Sequence, residues 1–142
     1  MSIEAGRIML SRIDDLLLSG SDFAFETTLA SRSFVSTIEK AKRLGYFVTL
    51  VFFWLDSVDL AKSRVKSRVS QGGHFIPHTV IERRYKAGIK NLLNLYAERV
   101  DDLFVFNNSG ILAELIAERR SQSPWKIIRA DSFNQLKDVQ NE

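Results

Sequence analysis

The chain has 142 residues, of which 45% are hydrophobic, and it carries a formal net charge of +3 at pH 7. This length and composition predict one globular domain over 1–142 and exclude a disordered chain. The absence of cysteine excludes a disulfide framework and a thiolate metal site, and it fits a cytoplasmic protein.

Apolar periodicity and turn residues divide the chain into alternating helices and strands. Three- to four-residue spacing predicts the helices, and short runs of β-branched and aromatic residues predict the strands. The run 46–55 is nearly all apolar, so we predict a strand covered on both faces. In chain order, the predicted elements are a helix over 2–19, a strand over 22–26, a helix that Ser31 or Ser33 caps and that runs to Leu44, a strand over 46–55, a helix that Asp56 or Ser57 caps and that runs to Gln71, a helix over 79–99, a strand over 102–106, a helix over 111–119, a strand over 125–129 and a last helix capped by Asp131 or Ser132.

This order predicts the fold class. Strands that alternate with helices favour right-handed crossovers, so we predict an α/β three-layer sandwich with a mostly parallel sheet and helices on both faces. Doubly wound domains usually open on a strand that feeds a phosphate-binding turn, whereas this chain opens on a helix.

Positive charge is concentrated in one segment of the chain. Residues 61–90 contain one acid, Glu82, and have a net charge of +7, which leaves −4 for all other residues. A localised basic field indicates an anionic partner, such as a phosphorylated ligand or a nucleic acid. The alternative is that these side chains only solvate two helices. The basic residues are Lys62, Arg64, Lys66, Arg68, Arg83, Arg84, Lys86 and Lys90.

Two basic helices joined by a glycine-rich loop predict a lid hairpin over 57–99. Arg64 and Arg68 lie one turn apart on the first helix, and Arg83 and Arg84 lie on the second, where only one of the two neighbours is expected to reach a ligand. Arginine grips phosphate oxygens with its planar fork, so the hairpin could close over a charged ligand.

The loop of the hairpin contains the first of two histidines, His74 and His78. A two-histidine metal site needs a third ligand, and the sequence supplies none at a known spacing. We therefore predict no metal site, and we expect His74 to have a structural or hydrogen-bonding role.

A carboxylate follows the predicted strand 22–26. Ligands of an open parallel sheet bind outside the carboxyl ends of its strands, so Glu26 is expected on the rim of the crevice. There it could orient a hydroxyl, hold a metal-bound water or act as a base, and Thr27 and Thr28 could donate hydrogen bonds beside it. The alternatives are a glutamate paired with an arginine and a helix-capping carboxylate.

A phosphate-binding glycine motif is missing from the sequence. A P-loop reads G-x-x-x-x-G-K-[ST], because its backbone amides and lysine cradle the phosphates. None of the seven glycines is followed by lysine, and G-x-G-x-x-G does not occur either.

Four motifs together resemble the zeta-toxin family of P-loop kinases, most closely its small bacterial zeta toxin-like ATPases. They are Phe-Ala-Phe-Glu-Thr-Thr-Leu, Arg-Val-Lys-Ser-Arg-Val-Ser-Gln-Gly-Gly-His-Phe-Ile-Pro, Ile-Glu-Arg-Arg-Tyr and Asn-Asn-Ser-Gly, and the likeness extends over roughly 4–138. It implies a nucleotide-kinase-like fold. It also implies phosphorylation of a nucleotide sugar such as UDP-N-acetylglucosamine, with ATP and Mg²⁺ as cofactors and an antitoxin as partner.

The resemblance also implies roles for single residues. Glu26 matches the family's acid beside the substrate, and Arg68 and Arg84 match the two lid arginines that contact phosphates. The turn 107–110 lies where relatives hold the nucleotide base, although many relatives have Asp-Asn where this chain has two asparagines. The expected site therefore has Glu26, Arg68 and Arg84 as catalytic residues, Thr27, Thr28, Arg64 and His74 as substrate-binding residues, and Asn108 and Ser109 as cofactor-binding residues.

The departures from the family pattern shape the expected function. Relatives carry a strand, the P-loop and an aspartate base before the helix predicted at 2–19, and this sequence contains none of the three. Because the phosphate cradle drives most of phosphoryl transfer, we expect a truncated or split kinase that is inactive alone and needs a P-loop-bearing partner chain. The alternative is a non-catalytic binding module for a phosphorylated ligand or a protein partner.

Other partners follow from the surface that the missing strand would leave open. An uncovered apolar strand edge invites pairing, so we expect a homodimer. Nucleic acid is not the expected partner, because aromatic residues within 61–90 are limited to Phe75 and Tyr85 and the fold is not a standard reader. We expect no membrane segment, because the longest apolar run, about 48–55, is too short to span a bilayer and the N-terminus lacks a signal-peptide pattern.

Overall fold

A computed structural model of the chain describes residues 3–121 and 123–142. In chain order, the elements are α1 (Ile3–Ser19), α2 (Phe34–Arg43), β1 (Thr49–Trp54), α3 (Val58–Ser70), α4 (His78–Asn91) with a π-helical turn (Leu92–Tyr96) that continues it, β2 (Asp102–Asn107), β3 (Glu114–Arg120), β4 (Lys126–Ile127) and α5 (Ala130–Gln140).

The fold is α/β, as predicted, but its sheet is mixed rather than mostly parallel. The strands lie in the order β1-β2-β3-β4. β1 and β2 are parallel, whereas β2 with β3 and β3 with β4 are antiparallel. The long segment between β1 and β2 holds two helices and allows a crossover, whereas the short turn after β2 can only return the chain antiparallel.

The predicted helix over 111–119 is wrong, because β3 occupies this segment. Its alanine, leucine and glutamate residues favour a helix locally, but Val105 of β2 pairs with Ala117 of β3. Ile116 and Ala117 are both fully buried, and a register shift between Val105 and Phe106 accompanies this pairing. Tertiary pairing with β2 therefore overrides the helical propensity.

The predicted strand over 22–26 is also wrong, since these residues lie outside the sheet. Residues 27–28, which come next along the chain, are also irregular. A strand needs hydrogen-bonding partners, and the main chain of 22–28 makes no backbone hydrogen bond with any residue that the structure describes. Alternating apolar residues alone therefore do not make this segment a strand.

Core packing explains which sheet face is covered. Leu103, Val105 and Trp54 are buried against the helices, in a core that the π-helical turn and α5 help to form. β1 was predicted to be covered on both faces, and this is wrong, because Val51 and Phe53 remain 44% and 57% exposed. The three-layer arrangement is thus not formed over this part of the sheet.

Several helix predictions are confirmed. The helix predicted over 2–19 is α1, which buries Ile13 and Leu17. Ser57 caps α3, and its side chain accepts the backbone N–H of Leu60. α5, however, begins at Ala130, so the predicted caps Asp131 and Ser132 lie inside the helix.

A half-buried carboxylate joins α2 to the start of the sheet. The Asp101 carboxylate accepts the backbone N–H of Val48 at 2.7 Å and pairs with Lys42. Burial by itself acts to raise the pKa of this carboxyl, but the Lys42 and Val48 donors outweigh it, so the pKa of Asp101 is lowered.

We expect Asp101→Asn to lower the free energy of unfolding by about 1–3 kcal/mol at pH 7, because charge-assisted bonds are lost. A carboxyl whose folded-state pKa is lowered stabilises the fold above its unfolded value of about 3.9, and this contribution is lost as pH falls through the folded value. Urea unfolding at pH 7 and pH 3 should therefore show a smaller acid effect in the variant than in the wild type. An equal acid effect in both proteins would contradict this role.

Candidate functional site

The carboxyl ends of β1 and β2 lie side by side, where Trp54 is paired with Asn107. This is the edge at which an open parallel sheet binds ligands. The turn 107–110 begins at the end of β2 and is hydrogen-bonded to β1, because the backbone N–H of Asn108 donates to the Trp54 carbonyl at 2.7 Å. The segment predicted to hold a nucleotide base therefore lies at this edge of the sheet.

Within this turn, the two predicted cofactor-binding residues differ. Ser109 uses its polar groups internally: its N–H donates to the Asn107 side chain, its Oγ accepts the Asp56 N–H at 2.9 Å, and its carbonyl accepts Arg64 Nη2 at 3.1 Å. The Asn108 side chain makes no hydrogen bond to the described residues. Asn108 is therefore the residue of the pair that can offer its side chain to a ligand.

The guanidinium of Arg64 is hydrogen-bonded to another part of the chain. Its bond to the Ser109 carbonyl joins α3 to the turn 107–110. A ligand phosphate would have to compete with this bond, so substrate binding by Arg64 is less direct than the sequence suggested.

The segment that carries Glu26 is anchored on α4. A side chain at Gly88 would lie 2.8 Å from the Thr28 carbonyl oxygen, so the two main chains are in close contact. One turn further along the helix, Asn91 Nδ2 donates to the Leu29 carbonyl at 2.7 Å. Leu29 is buried with a positive φ of 58°, which turns the chain into the core at this point.

This anchoring places Thr28, two residues after Glu26, on the face of α4 that also carries Arg84. Arg84 lies four residues before Gly88, and therefore on the same helix face as the contact with Thr28. Glu26 is exposed two residues before Thr28, and no described residue forms an ion pair with it. The structural alternatives proposed for Glu26, an arginine pair and a helix cap, are therefore not formed.

The hydroxyls of Thr27 and Thr28 accept the backbone N–H groups of Leu29 and Ala30, both at 3.3 Å. Since a hydroxyl that accepts can still donate, both threonines retain a donor. His74, by contrast, is exposed in the loop between α3 and α4.

Apart from Arg64, the basic residues of 61–90 fall into two groups. Three lysines have partners: Lys62 and Lys86 pair with Glu82, Lys86 also pairs with the Glu142 side chain, and Lys90 donates to the main-chain oxygen of Glu142 at 3.5 Å. The second group forms no ion pair or hydrogen bond through its side chains within the described ranges, and it consists of Lys66, Arg68, Arg83 and Arg84.

Tyr85 connects α4 to the end of β1. Its hydroxyl donates to the Leu55 carbonyl at 2.6 Å, and burial raises the pKa of this hydroxyl. The group therefore stays a protonated donor near neutral pH. Tyr85 was not among the residues predicted for the site.

Sequence reasoning also missed the anchors Gly88 and Asn91. A glycine in a helix interior costs about 1 kcal/mol relative to alanine, and this was the signal that could have indicated a close approach of another segment.

The described residues contain no group of three or more His, Asp or Glu side chains that could hold a metal ion. None of the helices in that part of the chain is both long and apolar enough to cross a membrane.

Comparisons with known proteins give one family and one relative. A family model described as Zeta toxin matches residues 1–120. An "Uncharacterized protein" of Haemophilus influenzae (strain ATCC 51907 / DSM 11121 / KW20 / Rd) is 31% identical over 83 residues, which cover 58% of this chain and 59% of that protein. The alignment thus spans well under two thirds of the relative's length. No solved structure matches significantly.

Proposed function

This chain belongs to the zeta toxin family, and from that membership we propose that it binds a nucleotide sugar and supplies the substrate side and lid of a phosphoryl-transfer site. The observation that carries the proposal is a pair of arginines without acidic partners, Arg68 on α3 and Arg84 on α4, in the described part of the lid hairpin. Arg84 lies on the helix face that holds the segment with Glu26.

Free guanidinium groups favour phosphate as the ligand. A phosphate that binds Lys62 or Lys86 would compete with Glu82, whereas Arg68 and Arg84 need not give up an ion pair. Each arginine fork can donate two parallel hydrogen bonds to phosphate oxygens. A diphosphate-linked sugar therefore suits this pair better than the lysines around it.

The segment before Leu29 would recognise the sugar. The Glu26 carboxylate can accept a hydrogen bond from a sugar hydroxyl and so orient it, and the hydroxyls of Thr27 and Thr28 can donate to sugar oxygens. Asn108 is the side chain available for the base at the crevice edge.

The residues present do not fit the triphosphate of ATP with Mg²⁺. The sequence has no Gly-Lys pair. At the carboxyl end of β1, the Ser57 side chain accepts the Leu60 N–H at the start of α3, and no described acidic cluster could hold the metal. We therefore propose that the phosphate cradle comes from a P-loop-bearing partner chain, and we derive no transfer step for this chain alone. An antitoxin is the further partner that family membership suggests.

Calorimetric titration with UDP-N-acetylglucosamine tests the proposal. We expect saturable micromolar binding that the double variant Arg68→Ala, Arg84→Ala weakens about 100-fold, because two charge-assisted contacts are lost. The double variant Arg7→Ala, Arg12→Ala on α1 is the matched control, since it makes the same change in net charge. Equal loss in both variants, or no binding by the wild type, would contradict the proposal.

A second candidate function is a binding module without catalysis, and the lack of a Gly-Lys pair favours it. Titration with Mg²⁺-ATP is the first test that separates the binding module from the split kinase. We expect no saturable binding of ATP by this chain alone, and saturable binding would show that a nucleotide site survives without a P-loop. Phosphate transfer after a P-loop-bearing chain is added would then support the split kinase over the binding module.

A further inference from the structure

An apolar cleft of about 190 Å³ lies beside the start of β1. One part of its wall is the segment that contains Phe23 and Phe25, another is the entry to β1 at Thr49, and Thr37 of α2 contributes to the lining. All the lining side chains are uncharged. A cleft with this chemistry excludes a charged ligand and favours apolar groups.

The wall formed by β1 is a strand edge without a partner. The carbonyls of Val48 and Trp54 accept hydrogen bonds from the β2 side. The backbone groups of the even-numbered residues of β1 therefore face β2. Backbone groups alternate sides along a strand, and those of Thr49, Val51 and Phe53 therefore face the opposite edge. In the described sheet β1 is the first strand of the order and pairs only with β2.

The segment 22–28 also lines the cleft and is a second run of main chain without hydrogen-bond partners in the described structure. Residues 22–28 make no backbone hydrogen bond to any described residue, yet ring contacts hold their side chains in place. Phe23 packs edge-on against Tyr46 with ring centroids 6.1 Å apart, and Phe25 packs on Phe34 at 5.1 Å. The wall is therefore fixed by its side chains while its backbone donors and acceptors remain free.

We propose that this cleft receives a single extended apolar segment of a partner polypeptide, which inserts as a strand between β1 and residues 22–28. Main-chain hydrogen bonds to the edge of β1 would hold it, and small apolar side chains at alternate positions would fill the cleft. This inference goes beyond nucleotide-sugar binding, because it uses neither Arg68 nor Arg84 and needs no nucleotide.

The chain segments that line the cleft indicate that its occupant is a partner segment rather than a second copy of this chain. Because this chain borders the cleft on both sides, an occupant needs both of its own edges free. The β1 strand of a second copy has one edge occupied by β2, so it does not meet this requirement. An isolated strand segment has both edges free. The homodimer predicted from an uncovered strand edge would use the same edge of β1, so it would compete with this segment, and it stays a prediction.

A displayed library of random ten-residue peptides tests the inference. Peptides selected on the wild-type protein should alternate small apolar residues and carry little charge. The strongest peptide should lose at least about tenfold in affinity when two central amides are N-methylated, because those amides no longer donate to the strand edge. This comparison uses only the wild-type protein.

Thr37→Trp fills the cleft and should abolish binding of the selected peptide. Ser36→Trp, on the exposed side of α2, is the matched control and should bind as the wild type does. Three results would overturn the inference: no alternating apolar consensus, equal binding of the N-methylated peptide, or equal binding by the Thr37→Trp variant. Sedimentation would overturn it as well if the wild type forms a dimer that Thr37→Trp dissociates, because the occupant would then be a second copy.

Discussion

Replacing Gly88 with alanine is expected to lower the free energy of unfolding by about 1–3 kcal/mol, although alanine is the better helix former. The added Cβ would lie 2.8 Å from the Thr28 carbonyl oxygen. Because that oxygen belongs to the main chain, it cannot move aside as the end of a flexible side chain could. The segment with Glu26 has to shift away from α4, so binding of the nucleotide sugar should weaken several-fold as well.

Gly6→Ala provides the matched control for this prediction. Gly6 is also a helical glycine, on α1, but a Cβ added there meets no atom within 4 Å. Alanine at this position should raise the free energy of unfolding by about 0.5–1 kcal/mol, since only the helix propensity changes. Urea unfolding of both variants measures the contrast, and a stabilising effect of the same size at Gly88 would refute the close contact.

Leu29→Ala is expected to cost about 2–5 kcal/mol, and Leu29→Gly is expected to cost about 0.5–1 kcal/mol less. Leu29 is buried, so both variants lose its packing in the core. Its φ of 58°, however, lies in the left-handed region, where glycine avoids a penalty that alanine keeps. Glycine should therefore be the milder replacement at this position.

The reverse order is expected at Ile38, which is buried in α2 with helical backbone. There Ile38→Gly should cost about 1 kcal/mol more than Ile38→Ala, because glycine is the poorer helix former. Chemical denaturation of the four variants gives the two differences. If glycine is the worse replacement at both positions, the left-handed turn at Leu29 is incorrect.

Both predictions concern the same part of the site. Leu29 turns the chain inward, Asn91 holds its carbonyl, and Gly88 lets the preceding residues approach α4. These contacts fix Thr28 and Leu29, the residues that follow Glu26 and Thr27, on the surface of α4. The geometry of the candidate site thus depends on residues that would not themselves touch a ligand.

Some of these features could be predicted from the sequence because they depend on neighbours along the chain. Ser57 as a cap and the buried stripe of α4 and its π-helical turn, which includes Ile81, Ile89 and Leu92, are local patterns with a period or a fixed offset. The family motifs were also readable directly, and the family match over residues 1–120 confirms them.

Other features depended on partners that are distant in sequence. Residues 22–26 have the alternation of a strand, but they have no neighbour with which to pair. The segment over 111–119 has the composition of a helix, but β2 offers Ala117 a strand to pair with. In both cases hydrogen bonding across the sheet, which local composition does not encode, determined the outcome.

The sequence by itself determined the chemistry available to this protein: a basic hairpin, an acid followed by two threonines, and no Gly-Lys pair to cradle a triphosphate. Only the tertiary structure decided which of these groups are free to act. Glu82 of α4 pairs with Lys62 of α3, and the turn at Ser109 accepts a hydrogen bond from Arg64, while the side chains of Arg68 and Arg84 have no partner among the residues that the structure describes. The physical reason is that an ion pair forms between side chains brought together by packing, whatever their separation along the chain.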